Sequence, residues 1–111
     1  MECTSHKENK AVVIKVTGRL DAVTAPEFDN ACSTWIDQGE TCLVIDLTGV
    51  EYISSAGLRC FLVLHKRLKA VSGTLDLSGL QGMVKEVFNI SGFATLFPVH
   101  PTLEKAVEAT E

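Results

Sequence analysis

Much of what would assign this 111-residue chain a chemistry is missing from it. Its longest uninterrupted apolar run, Cys60 to Leu64, is far below the about 20 residues that cross a bilayer, so no membrane insertion is expected. The first residues, Met-Glu-Cys-Thr-Ser-His-Lys, lack a basic head followed by an apolar stretch, so nothing marks the chain for secretion and a cytoplasmic location is expected. Positive charge is in deficit: ten Lys and Arg face 14 Asp and Glu, for a net charge of −4. Apart from His65-Lys66-Arg67 the basic residues are scattered, which argues against nucleic acid as a partner. The four cysteines, Cys3, Cys32, Cys42 and Cys60, form no C-x-x-C pair, and no histidine stands at a finger-like spacing from them. They read as free thiols, and neither metal nor cofactor is expected. Phosphate-cradling, dinucleotide, nucleophile-elbow and zincin motifs are all absent. His65 lies ten residues beyond Ser55 in one helical segment, about 15 Å along the axis, too far to be its base. Asp46 lacks the second aspartate of a metal-binding phosphoacceptor loop. The expectation is a protein that is not an enzyme.

What is present is enough apolar residue for one core. Hydrophobic residues make up 46% of the chain, charged ones 22%, and no repeat or linker interrupts it, so residues 1–111 read as one domain. Ala11 to Thr17 is β-branched and apolar and reads as a strand, with a weaker strand near residues 2–8. Thr24-Ala-Pro-Glu27 has capping-box spacing, with Thr24 as N-cap, and Phe28, Cys32, Trp35 and Ile36 then recur at helical spacing up to Gly39. Cys42 to Leu47 is nearly all apolar, as in a strand covered on both faces. A short Val50–Ile53 segment leads to Ser54-Ser55-Ala56-Gly57 and a long amphipathic helix closed by Gly73. Thr74 to Leu77 alternates as a strand, and Met83, Val84, Val87 and Phe88 mark another helix. Leu96 to Val99 reads as an edge strand, and Pro101-Thr102 open a last helix burying Leu103 and Val107. Alternating strands and helices predict an α/β fold whose sheet is mainly parallel.

In such sheets functional groups collect where strands end and helices begin. Two segments qualify, Gly18-Arg-Leu-Asp21 and Ser54-Ser-Ala-Gly57. A serine at a helix start can simply cap free N–H groups. The same N–H groups and the positive end of the helix dipole tolerate a phosphate, so Ser55 can take a charge without unfolding the helix. Ala56 and Gly57 leave little bulk around its hydroxyl. Asp21 alone reads as a turn residue, and Arg59 as an exposed first-turn residue able to meet a phosphate or a carboxylate.

Four segments in order, Val16-Thr-Gly-Arg-Leu-Asp21, Leu43-Val-Ile-Asp-Leu-Thr-Gly-Val50, Tyr52-Ile-Ser-Ser-Ala-Gly-Leu58 and Asn89-Ile-Ser-Gly-Phe93, resemble the STAS domains of bacterial anti-sigma factor antagonists. The resemblance runs from about residue 8 to 109 and implies a mixed, mainly parallel sheet of four to five strands with about four helices. It also implies partners: a serine kinase that doubles as an anti-sigma factor, and a metal-dependent phosphatase that reverses its action. On the family pattern Ser55 takes the phosphorylated position, with Ser54 as the other candidate acceptor, and Asp21 falls on an acidic residue that supports kinase binding. With the residues read above from the helix start, Ser54, Ala56, Gly57 and Arg59, they make up the expected partner-contact surface. Ser54 stands where the family often has aspartate, which places two hydroxyls side by side. The alternative that the resemblance offers is an unphosphorylated docking subunit of a transport ATPase or signalling scaffold.

Overall fold

Side chains on a strand alternate between faces, and here the alternation sorts the sheet into an aromatic-packed face and a thinly covered one. The computed structural model describes residues 1–110. Strand β1 (Glu2–Glu8) is antiparallel to β2 (Ala11–Leu20), whereas β3 (Cys42–Ile53), β4 (Thr74–Ser78) and β5 (Val99–His100) extend the sheet in parallel, in the order β1-β2-β3-β4-β5. Val12, Ile14 and Val16 of β2, Leu43, Ile45 and Leu47 of β3, and Leu75 and Leu77 of β4 are buried in one cluster. Each parallel neighbour is added on the same side, so crossovers of one hand leave their helices on one face. Those helices are α1 (Ala25–Asp37), α2 (Ser55–Ala70) and α3 (Gly82–Ile90), and their Phe28, Phe61 and Phe88 join that cluster. Phe61 is its centre, with ring centroids 5.1 Å from Phe28, 5.5 Å from Phe88 and 6.3 Å from Phe97. Helix α4 (Leu103–Ala109) covers the opposite face, where Ala106 packs with Ala11 and Val44.

The opposite face also holds the buried polar residues. Asp76 of β4 meets the His100 imidazole Nε2 at 2.8 Å, and Asp46 of β3 accepts from the backbone N–H and the hydroxyl of Thr48 at 3.0 and 2.7 Å. Asp46 thus braces the Thr48 irregularity in the middle of its own strand.

The mixed sheet, its five strands and four α-helices agree with the sequence expectation, and the weak first strand is real. Several boundaries differ. Cys42–Leu47 and Val50–Ile53 are one strand, because irregularities in the β2–β3 register at Lys15/Thr17 and Gly18/Arg19 absorb the Thr48-Gly49 break. The last strand is Val99–His100, not Leu96–Val99; Phe93–Thr95 form a 3-10 turn before it. In α4 the buried residues are Ala106 and Val107, with Leu103 only half-buried. Trp35 is half-buried too, its indole N–H donating to the Ser5 hydroxyl at 2.9 Å. At the end of α2 the left-handed residue is Ser72 (φ 59°), while Gly73 serves close approach: a Cβ there would collide with the Thr41 carbonyl oxygen.

Candidate functional site

The start of α2 is pinned to the end of β2 through one carbonyl. Leu20 and Ile53 are register partners at the carboxyl ends of β2 and β3. One residue further on, the Ser54 N–H donates to the Leu20 carbonyl at 3.0 Å. Ser54 is extended (φ −95°, ψ 174°), and its hydroxyl oxygen accepts from the Gly57 N–H at 3.3 Å, which makes Ser54 the N-cap of α2. Gly57 is buried against the same carbonyl, and a Cβ at that position would come within 2.7 Å of the Leu20 oxygen. Glycine is what lets the helix start this close to the neighbouring strand.

Ser55 is therefore the first residue of α2. Its side chain is exposed, and its hydroxyl makes no hydrogen bond among the described residues. The two adjacent serines are sharply distinguished: Ser54 is half-buried with its oxygen engaged, while Ser55 is open. Arg59, one turn further along, is exposed and has no hydrogen-bond, ion-pair or ring partner among the described residues.

Asp21 follows Leu20 directly and organises the turn into α1. Its Oδ1 accepts from the N–H of Val23 at 3.0 Å and of Thr24 at 3.2 Å. The Thr24 N–H, then the Val23 N–H, the Thr24 hydroxyl and the Arg19 guanidinium hold the Asp21 carboxyl below the usual carboxylate range, against a smaller opposing effect of desolvation. The capping box read at Thr24 is not formed. Thr24 is already in helical conformation, and its hydroxyl donates to the Arg19 carbonyl at 2.8 Å and accepts from the Asp21 N–H at 2.9 Å. Asp21 collects the free N–H groups instead, and an Asp-x-x-Thr spacing is the signal that could have shown it.

Arg19, which no sequence pattern singled out, lies with its guanidinium 4.1 Å from the Tyr52 ring centroid and 3.8 Å from Asp21 Oδ2. The structure thus brings Asp21, Ser54, Ser55 and Gly57 to one end of the sheet, with Arg59 a turn beyond. It also reveals a feature the sequence did not announce. An open groove of about 370 Å³ runs between α1 and α2, walled by Ala25 and Pro26 on one side and by Ala56, Cys60 and Val63 on the other, with Asp29 and Arg59 as its charged lining residues.

The thiols and the imidazole carried by α1 and α2 are not poised for chemistry. Burial, then the nearby Asp29 carboxylate, pushes the Cys60 thiol up to about 12, and burial pushes the Cys32 thiol up as well. The His65 ring is packed edge-on to Phe97 at 5.1 Å. Among the described residues no cluster of three or more His, Cys, Asp or Glu side chains could hold a metal ion, and no helix is long and apolar enough to cross a membrane. An open hydroxyl on a firmly anchored helix start, beside an apolar groove, is suited to being recognised by another protein.

The site and the fold define a small mixed α/β domain with an accessible serine at the start of its second helix, the class that comparison with known proteins makes specific. The STAS domain family model matches residues 3–106, and the chain belongs to that family. A relative in Bordetella bronchiseptica, named as an anti-sigma factor antagonist, BtrV, is 38% identical over 109 residues, covering 98% of this chain and 94% of that protein. An anti-sigma factor antagonist from Mycobacterium paratuberculosis has the same fold with a TM-score of 0.88 at 27% identity, over 97% of this chain and 92% of that one. The phosphorylated form of the Bacillus cell fate determinant SpoIIAA superimposes with a TM-score of 0.78 at 24% identity, over 99% of this chain and all (100%) of that one.

Proposed function

We propose that the protein is an anti-sigma factor antagonist without catalytic activity of its own, whose unphosphorylated form binds an anti-sigma serine kinase and so releases a sigma factor. Phosphorylation of Ser55 by that kinase switches binding off, and a metal-dependent phosphatase restores it. Asp21, Ser54, Ala56, Gly57 and Arg59 frame the contact. The observation that carries this reading is the state of Ser55: exposed, uncommitted, and first in a helix whose cap is supplied by its neighbour. The names of the relatives supply the class of partner.

The physics of the switch follows from where the charge arrives. A phosphoserine brings about −1.5 to −2 charges. At the first residue of a helix it meets the positive end of the dipole, a favourable interaction of about 0.3–1 kcal/mol at an exposed site. The domain keeps its fold. At a protein contact the same charge must be desolvated or must face whatever the partner presents, and a few kcal/mol there moves the partner to another complex.

Phosphopeptide mapping after incubation with the cognate kinase and ATP should place one phosphate on Ser55, and Ser55→Ala should abolish the mass gain. In calorimetric titrations Ser55→Ala should still bind the kinase, while Ser55→Asp binds more weakly with an unchanged or slightly higher Tm. Phosphate on Ser54, or Ser55→Asp binding as tightly as the parent, overturns the switch. A chain that no serine kinase modifies and that co-purifies with a transport ATPase is a constitutive docking subunit instead.

A further inference from the structure

Among the described residues the guanidinium of Arg59 has no hydrogen-bond, ion-pair or ring partner. It sits four residues after Ser55 on the same helix, and residues at this spacing share a face with Cβ atoms about 5–6 Å apart. Helical side chains lean toward the N-terminus, so Arg59 inclines toward Ser55. The other cation at this end of the sheet is committed: Arg19 is stacked on Tyr52 and lies beside Asp21. Asp29 lines the same groove as Arg59, yet no ion pair joins them. Between Ser55 and Arg59 on this turn the side chains are a methyl at Ala56, a hydrogen at buried Gly57 and a half-buried leucine at 58, so the exposed path is open.

We propose that Arg59 is the intramolecular clasp for a phosphate on Ser55, pairing with it through charge-assisted hydrogen bonds along the exposed face of α2. The inference rests on Ser55 being the modified residue. Its consequence is that modification changes two charges on the docking face together. A dianion is added, and the one cation lining the α1–α2 groove is drawn out of reach of a partner's carboxylate. The planar guanidinium can grip two phosphate oxygens at once, which a lysine at the same position does only as a point charge.

The test uses the full chain with phosphoserine installed at position 55 by genetic encoding, so it does not depend on any kinase. The phosphate is titrated by phosphorus-31 NMR in the Arg59 parent, in Arg59→Gln and in Arg59→Lys. A paired dianion resists protonation, so the midpoint, ordinarily near pH 6, should lie lowest in the parent, with Arg59→Gln higher by about half a unit or more and Arg59→Lys between them. The unphosphorylated Arg59→Gln protein should melt with the parent, which shows that the side chain is not structural. Equal midpoints in all three phosphorylated proteins, or an Arg59→Gln effect on melting that is the same with and without phosphate, overturns the clasp while leaving the switch standing. Conversely, if no kinase phosphorylates Ser55 but the midpoints separate, the electrostatic pairing holds and the assignment of the modified residue fails.

Discussion

Replacing Gly57 by alanine sets two opposite effects against each other. Gly57 is inside a helix with ordinary helical geometry, so alanine there gains about 1 kcal/mol of intrinsic helix propensity. Against this, the new Cβ would lie 2.7 Å from the Leu20 carbonyl oxygen, 2.9 Å from Ile53 Cγ1 and 3.2 Å from Leu20 Cγ. The first of these contacts is to backbone in a paired strand, which cannot swing aside as a side-chain tip would. Relief requires α2 to lift away from β2, loosening the 3.0 Å hydrogen bond from the Ser54 N–H to that same carbonyl. Overpacking costs roughly 1–3 kcal/mol and falls at the upper end when backbone is the obstacle. A weakened hydrogen bond adds about 1 kcal/mol. The net expectation is a loss of about 3 kcal/mol, or a Tm lower by roughly 12 °C for a domain of this size. Urea unfolding of the parent, Gly57→Ala and the neighbouring Ala56→Gly measures it. Ala56→Gly calibrates propensity alone and should lose about 1 kcal/mol, and all three should share one m-value. A Gly57→Ala protein as stable as the parent, or more so, would show that the helix start yields freely and that glycine is not what holds Ser55 in place.

Three further outcomes are expected. Ser54→Ala removes the oxygen that accepts the Gly57 N–H and should cost about 0.5–2 kcal/mol in denaturant unfolding, whereas Ser54→Asp, which keeps an acceptor, should lose less. Because the folded Asp21 carboxyl lies below its ordinary value of about 3.9, its contribution is fully present above that value and is lost as the pH falls through the folded pKa; stability–pH curves of the parent and Asp21→Asn should therefore converge below pH 4 and separate above it. With both thiols pushed up, Cys32 and Cys60 in the native protein should stay unalkylated by iodoacetamide at pH 8 while the denatured chain reacts at all four cysteines; rapid native labelling of Cys60 would mean that the α1–α2 groove opens wider than it does here.

The alternation of apolar runs along the chain was sufficient to read an α/β sheet, the existence of nearly every element, and the residues flanking Ser55, because periodicity and capping chemistry are local properties. The four ordered motifs carried the family as well, since they occur at the strand ends and helix starts that the fold brings together. Other features depended on atoms far apart in sequence. Whether Thr24 or Asp21 capped the first turn turned on the Arg19 carbonyl, which claims the Thr24 hydroxyl. Val50–Ile53 joined β3 only because bulges against β2 restore its pairing. Above all, the division of labour between two adjacent serines is tertiary. Sequence shows two hydroxyls in a row, and only the Leu20 carbonyl, by fixing the Ser54 backbone and excluding a side chain at Gly57, turns one oxygen inward to cap the helix and leaves the other in solvent.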